Sequence, residues 1–128
     1  MIWFQLYNSN PKNKKTSDCV VRALAIATQK PYTQVLDELV EICKKTGYFI
    51  NDKKCYEKYL KDNNFVKMRQ PRKKDNTKYT IYEIDTIIGD SVAVVSCANH
   101  LTIVSNKMLL DLWDCRFKTI GNYWVKKL

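Results

Sequence analysis

The spacing of apolar residues changes between the first and second halves of this chain. In the first half, apolar residues recur every three or four positions, as on the buried face of a helix, in segments that end near Thr28, Thr46 and Asn63. Beyond Gly89 they form short runs typical of buried strands, at residues 92–96, 101–104, 108–113 and 123–125. This order predicts an α+β fold, with N-terminal helices packed on a C-terminal antiparallel sheet.

Weaker local patterns complete the outline. Residues 1–7 predict a strand or a packed N-terminal arm, and residues 65–68 predict a short strand. Thr80 and Glu83 have the spacing of a capping box that begins a short helix. A length of 128 residues favours a single domain, residues 1–128, with a helical part at 1–65 and a sheet part at 66–128.

Five cysteines and one histidine limit the kinds of site that the chain can build. The cysteines show neither CxxC nor zinc-ligand spacing, so we expect no metal and no other cofactor. An odd number of cysteines fits reduced thiols, which are typical of a cytoplasmic protein. No apolar run approaches the roughly 20 residues that span a bilayer, and the first residues lack signal-peptide features, so no membrane contact is predicted.

The chain carries 22 basic and 13 acidic residues, a net charge of +9. Such a surplus suits an anionic partner, either nucleic acid or an acidic protein. A lysine-rich solvated surface produces the same surplus, and here the basic residues are scattered without finger spacing or an RNA-recognition motif. Nucleic-acid binding is therefore an alternative function and not the favoured one.

Cys19 stands where a polar, loop-like segment meets the first helical segment. Ser17 or Asp18 can cap that helix with a side-chain oxygen. A cysteine at this position meets free N–H groups and the positive end of the helix dipole, which favour the nucleophilic thiolate. A small buried core residue is the alternative role of a free cysteine. A catalytic role therefore requires a nearby base and a group that orients it.

His100 is the one histidine and hence the candidate base. If residues 106–107 form a two-residue turn, side-chain alternation places His100, Asp111 and Trp113 on one face of a hairpin. Asp111 is then diagonal to His100, within hydrogen-bonding reach of the ring. A one-residue change in the turn would select Asp114 instead, so both acids remain candidates. Purely structural roles are the alternative for His100 and for either acid.

The order of these residues resembles that of papain-like cysteine peptidases: a cysteine at a helix start, then a histidine, then an acid or amide on the following strand. Asp111-Leu112-Trp113 is similar to the Asn-Ser-Trp of papain-type enzymes. The resemblance implies that Asp111 orients His100 and that Trp113 shields their contact. Asp18-Cys19 is similar to the Asp-Cys of bacterial cell-wall-peptide hydrolases in the same superfamily, which makes Asp18 a further pocket candidate. The whole pattern looks closest to small papain-like peptidases of phages and bacteria.

Papain-type enzymes hold the oxyanion with a glutamine that precedes the cysteine, together with the cysteine's own N–H. Here Asn13 precedes Cys19, and Asn10 lies in the Asn10-Pro11 turn. The side-chain N–H of either asparagine can donate to an oxyanion. Both are also ordinary turn residues, so this assignment remains open.

The resemblance implies a cysteine hydrolase that cleaves a peptide or amide bond by acyl transfer through Cys19, His100 and Asp111. Its partner would be a peptide or protein substrate, as for a phage-type effector in the host cytoplasm; a cell-wall amidase is a third candidate. The alternative is a non-catalytic basic module that binds nucleic acid or an acidic protein. The sequence predicts neither the substrate nor the oligomeric state, and it does not separate a protease from a deamidase, an isopeptidase or an acyl transferase.

Overall fold

Helices precede most of a six-stranded sheet along the chain. The computed structural model describes residues 1–127. Its strands are Trp3–Leu6 (β1), Phe65–Met68 (β2), Ala93–Cys97 (β3), His100–Ser105 (β4), Met108–Asp111 (β5) and Tyr123–Lys126 (β6). Its helices are Cys19–Thr28 (α1), Tyr32–Thr46 (α2), Lys53–Asp62 (α3) and Asp85–Ile88 (α4). The predicted α+β class is confirmed.

Local signals explain where the three longer helices begin and end. Gln29 ends α1 in the left-handed conformation, with φ 57°. Gly47 ends α2 at φ 81°, a value that favours glycine, and its N–H donates to the Cys43 carbonyl at 2.8 Å. Asp52 caps α3 by accepting the Lys54 N–H at 2.8 Å. These signals are encoded locally, which is why the helix ends lie close to the predicted ones.

The predicted capping box at Thr80 and Glu83 is confirmed. The Thr80 N–H donates to Glu83 Oε1 at 3.0 Å, and the Thr80 hydroxyl donates to the same oxygen at 3.0 Å. The box begins a 3-10 turn at Ile81–Glu83, and α4 follows it. The continuous short helix that the sequence predicts here is therefore divided in two.

The strands are arranged in the order β1-β5-β4-β3-β6-β2. β1 runs parallel to β5, whereas the other neighbours are antiparallel. The sheet is therefore mixed and not purely antiparallel as predicted, and it includes β1 and Phe65 from the part of the chain that was predicted to be mainly helical. A parallel pair requires a long crossover, and here α1 to α4 and β2 to β4 lie between the partners. No pattern within residues 1–7 identifies so distant a neighbour.

The sheet buries apolar side chains on both of its faces. Because side chains alternate along a strand, Val94 packs with the helices, while Ala93 and Val95 pack into a second cluster. The first cluster joins α1, α2 and α3 to residues of β3, β4 and β6, including Ile103 and Trp124. This packing holds the start of α1 against β4, which begins at His100.

A tight turn fixes the register of β4 and β5. Asn106 and Lys107 both adopt left-handed backbone conformations, with φ 51° and 63°. Two positive φ values in succession are the mark of the type I′ turn, whose twist matches that of the strands it joins. Val104 pairs with Leu109, which confirms the predicted register.

β5 ends at Asp111, although the sequence predicts a strand that continues to Trp113. Residues 112 and 113 form a bend. The Leu112 N–H donates to Oδ1 of Asp111 at 2.6 Å, so it is not available to a neighbouring strand. The end of β5 is thus set by the Asp111 side chain.

The turn offers a direct test of backbone strain. Lys107 has a side chain where φ is 63°, a conformation that costs an ordinary L-residue about 1–2 kcal/mol. We expect Lys107→Gly to raise the free energy of unfolding in urea by about 0.5–1 kcal/mol, since the flexibility of glycine offsets part of the relief. Lys45→Gly, inside α2, should instead lower it by up to about 1 kcal/mol. A loss at Lys107 as large as that at Lys45 would contradict the strain argument.

Candidate active site

Cys19 is the first residue of α1, and its side chain is partly buried. The Arg22 N–H donates to the Asp18 carbonyl at 2.9 Å, which closes the first turn of the helix. The N–H of Cys19 precedes this bond and belongs to the group of amides that have no acceptor within their helix. The sulfur therefore lies at the positive end of the α1 dipole, as the sequence predicts.

Asp18 precedes the helix but does not cap it through its side chain. Its carboxylate instead accepts from Arg22 Nε at 2.7 Å, from the Tyr32 hydroxyl at 2.8 Å and from Asn10 Nδ2 at 3.0 Å. The predicted side-chain cap is wrong at Asp18, because these partners draw the carboxylate away from the helix amides. Asp18 is 7% exposed and anchors the loop that leads to Cys19.

Asp111 is the centre of a buried polar network. One oxygen, Oδ2, lies 2.6 Å from His100 Nε2 and accepts the Thr102 hydroxyl at 2.6 Å. The other, Oδ1, accepts from Arg22 Nη1 at 2.9 Å and from the Leu112 N–H. Burial opposes ionisation, yet the hydrogen bonds from His100, Thr102 and Arg22 and the charge of His100 lower the pKa of Asp111 to about 2. Asp111 is therefore a carboxylate at neutral pH, although only 2% of it is exposed.

The imidazole of His100 is held on one side by that carboxylate. Burial favours the neutral ring, but hydrogen bonds with Asp111, Cys115 and Cys19 and the charge of Asp111 outweigh it and raise the pKa of His100 to about 11. Because Nε2 is engaged by Asp111, Nδ1 is the ring nitrogen that remains for other groups. The geometry thus favours an imidazolium with one fixed and one available N–H.

The Cys19 thiol is acidic despite its partial burial. Burial raises the pKa of Cys19, and hydrogen bonds from the His100 ring and the Leu101 N–H lower it. The charges of His100 and Arg22 lower it as well, and together these effects outweigh burial, so the pKa of Cys19 lies below its ordinary value. A low thiol pKa beside a high imidazole pKa favours a thiolate–imidazolium pair.

A cavity of about 910 Å³ contains both Cys19 and His100 in its lining. Residues of three structural elements meet there: the start of α1, the start of α3 with Tyr56, and the β3–β4 hairpin. Trp113 also lines it, and its ring centroid lies 5.0 Å from that of His100. A cavity of this volume is within the size range of ligand-binding pockets.

Neither predicted oxyanion donor lines this cavity. Asn10 donates its side-chain N–H to Asp18, and its Oδ1 accepts the Lys12 N–H at 2.9 Å. Asn13 is an exposed turn residue with φ 52°, and its Oδ1 lies 3.5 Å from Asn8 Nδ2. The structure thus gives both side chains roles within the loop before α1 and does not bring them to Cys19.

The two acids that the sequence offered as partners of His100 lie in different surroundings. Asp114 follows the bend and binds Arg116, with Oδ2 2.8 Å from Nη2 and Oδ1 2.9 Å from Nε. Asp111 is the acid that contacts His100. Trp113 is 42% exposed and stacks at a tilt of 48° beside His100, so it covers one side of the ring.

Sequence reasoning missed the link between Arg22 and Asp111. Arg22 pairs with Asp18 one turn away, as their i, i+4 spacing allows, but it also reaches Asp111 and so joins the two buried carboxylates. A usable signal was present, since Arg22 follows Cys19 by three positions and therefore shares its helix face. No such signal indicates the hydrogen bond from the Tyr32 hydroxyl to Asp18, because that bond depends on how α2 packs.

His100, Asp111 and Cys115 offer ligand atoms within 4.8 Å of one another, the geometry that a metal ion could use. However, Asp111 Oδ2 already accepts from Thr102 and contacts His100, and the Cys115 thiol donates to it at 3.8 Å. A hydrogen bond with Cys97 and burial raise the pKa of Cys115 well above its ordinary value. A metal would have to displace these bonds and deprotonate that thiol, so the three residues fit a hydrogen-bonded network better than a metal centre.

No family model matches the chain, and searches of curated proteins and of solved structures find no similar protein. None of the helices within residues 1–127 is long and apolar enough to cross a membrane. The predicted cytoplasmic location and phage-type origin stay predictions.

Proposed function

We propose that this protein is a papain-like cysteine hydrolase that cleaves a peptide or amide bond. In this proposal Cys19 is the nucleophile, His100 transfers protons, and Asp111 orients His100. One observation carries the proposal: Asp111 lies 2.6 Å from His100, and His100 lines the same cavity as Cys19, a thiol of lowered pKa at a helix start. These residues are the three groups that thiol-based acyl transfer requires.

The proposed reaction begins from the thiolate–imidazolium pair. The Cys19 sulfur forms a bond to the carbonyl carbon, and the carbonyl π electrons move to oxygen, where the N–H of Cys19 can donate to the oxyanion. His100 then gives its proton to the leaving nitrogen, the C–N bond breaks, and a thioester remains. Neutral His100 next removes a proton from water, which attacks the thioester and releases a carboxylic acid that loses its remaining proton to solvent. The sulfur leaves as thiolate and His100 regains its charge.

Asp111 and Trp113 have supporting roles in this mechanism. Asp111 stabilises the imidazolium and fixes its rotation through Nε2, so that Nδ1 is directed away from the carboxylate. Trp113 limits access of water to the His100 side of the cavity by covering the ring. Both are positioning residues, because neither is placed to touch the reacting carbonyl carbon.

Selective alkylation tests the nucleophile. At about pH 6, where an ordinary thiol of pKa about 8.5 is almost fully protonated, iodoacetamide should label Cys19 before the other four cysteines. p-Nitrophenyl acetate should give a burst of p-nitrophenol and an acetylated Cys19, both detected by absorbance and intact mass. Cys19→Ala should abolish the burst.

Cys43→Ala is the matched control, since Cys43 is partly buried like Cys19 but lies on α2 away from His100. It should leave the burst unchanged. Equal labelling of the partly buried cysteines, with no burst, would overturn the proposal and favour the non-catalytic binding module.

A further inference from the structure

The charged side chains that line the active-site cavity are all basic. Apart from the buried Arg22, its charged lining residues are His100, Lys15 and Lys53, and within residues 1–127 no aspartate or glutamate lines it. Lys15 comes from the loop before α1, whereas Lys53 is the first residue of α3, so the two lysines belong to separate elements. Both lysines are exposed and can meet a ligand that enters the cavity.

In the described part of the chain, the fold does not pair these two lysines with acidic side chains, as it does for several lysines elsewhere. Elsewhere Lys30 pairs with Glu38 at 3.1 Å, and Lys73 pairs with Glu83 at 2.7 Å. Within residues 1–127, neither cavity lysine forms an ion pair with a carboxylate. Lys53 donates to the neutral amide oxygen of Asn122 at 2.6 Å. The positive charge at the cavity is therefore not neutralised by the fold.

The buried groups beneath the cavity do not cancel this charge. The carboxylates of Asp18 and Asp111 are balanced by the guanidinium of Arg22 and the imidazolium of His100. The Cys19 thiolate adds one negative charge, which is less than the two lysines contribute. A substrate that approaches the sulfur therefore meets a net positive field.

We propose that the substrate is an acidic peptide segment, with Asp or Glu side chains close to the amide bond that Cys19 attacks. This inference rests on the proposed hydrolase function and specifies its substrate class. Lys15 and Lys53 would bind the substrate carboxylates and thereby determine specificity. An acidic peptide is favoured over nucleic acid because acyl transfer requires a carbonyl carbon next to a leaving nitrogen, which a phosphodiester backbone does not offer.

Paired active-site reagents test the substrate class. Two tripeptidyl chloromethyl ketones are compared, identical except that one carries Glu and the other Gln at the two positions before the reacting residue. Each alkylates a thiolate by displacing chloride, and the second-order rate at Cys19 is measured by intact mass. The Glu reagent should react faster, by roughly two- to fivefold for each lysine it contacts. Raising the salt to about 1 M, where the Debye length is about 3 Å, should remove most of this advantage.

Lysine variants test whether the two cavity lysines cause the preference for the Glu reagent. The Glu/Gln rate ratio should fall towards unity in Lys15→Gln/Lys53→Gln. It should remain unchanged in Lys74→Gln, which removes the charge of an exposed turn lysine that does not line the cavity. Equal rates for the two reagents in the unmodified protein, or a ratio that the double variant leaves unchanged, would overturn the inference.

Two further measurements separate this inference from the proposed function. Neutral iodoacetamide reports the reactivity of Cys19 without regard to substrate charge, so selective labelling with equal Glu and Gln rates would refute the substrate class alone. Protection of Cys19 by a single-stranded oligonucleotide, without protection by a Glu-rich peptide, would also overturn the inference, in favour of a nucleic-acid ligand.

Discussion

An Arg22→Met variant should lose about 3–5 kcal/mol of its free energy of unfolding. Arg22 is 6% exposed and binds two carboxylates, Asp18 at 2.7 Å and Asp111 at 2.9 Å. Methionine retains much of the aliphatic volume but leaves Asp18 buried without a counter-charge, and it leaves Asp111 with His100 as its remaining cation. Urea denaturation at neutral pH, followed by circular dichroism, measures the loss.

Arg116→Met is the matched control for this experiment. Arg116 also binds a carboxylate, Asp114 at 2.8 Å, but the two side chains are 22% and 33% exposed. Water can solvate the acid that remains, so the expected loss is at most about 1 kcal/mol. An Arg22 variant that loses no more than the Arg116 variant would show that the buried network does not stabilise the fold.

Two further comparisons identify the unpaired charge as the cause of that loss. Replacing Asp18 by Asn in the Arg22→Met background should restore part of the stability, because the buried carboxylate that has lost its counter-charge is then removed. A carboxyl whose folded pKa is depressed stabilises the fold above its unfolded pKa of about 3.9 and loses this contribution as the pH falls. In the wild type the loss at Asp111 is complete only below its folded pKa of about 2. The variant lacks the share of this contribution that Arg22 supplies, so the difference between the two proteins should shrink in acid.

The features that the sequence predicted correctly depend on short-range rules. The ends of α1 and α2, the capping box at Thr80 and the β4–β5 register each follow from residues within one turn of one another. Strand parity in that hairpin was enough to select Asp111 as the neighbour of His100. Local rules therefore identified the hairpin contact of the candidate site.

The features that the sequence did not reveal depend on contacts between distant segments. The parallel pairing of β1 with β5 joins residues about a hundred positions apart, with no local signal for the partner. Asn10 was predicted as an oxyanion donor because a loop before a nucleophile is a plausible place for one. Whether its amide faces the cavity or Asp18 depends on the fold of that loop, and here it donates to Asp18. Predicting the direction of a loop side chain therefore requires the tertiary structure, even where the helices and strands can be predicted from the sequence.

His100→Ala should reduce the rate of Cys19 alkylation by iodoacetamide about ten- to a hundredfold at about pH 6. Without the imidazolium, burial raises the pKa of Cys19 and its largest opposing hydrogen bond is gone. At pH 6 a thiol of pKa about 8.5 is only about 0.3% thiolate, although its thiolate is the stronger nucleophile. Stopped time points analysed by peptide mass spectrometry measure the rate at Cys19, and the rate at Cys43 serves as an internal standard.

The pH profile distinguishes lost thiolate from damaged structure. In the wild type, Cys19 should reach its full rate below the pH at which a free cysteine ionises, about 8.5, and the ion pair should persist until His100 deprotonates near its pKa of about 11. In His100→Ala the rate should instead rise about tenfold per pH unit up to about pH 8.5 or beyond, and approach the wild-type rate in alkali. If the variant stays slow at high pH, the substitution has blocked access of the reagent to the Cys19 thiol and has not merely reduced its ionisation. A wild-type profile that rises together with that of the variant would mean that His100 does not activate Cys19.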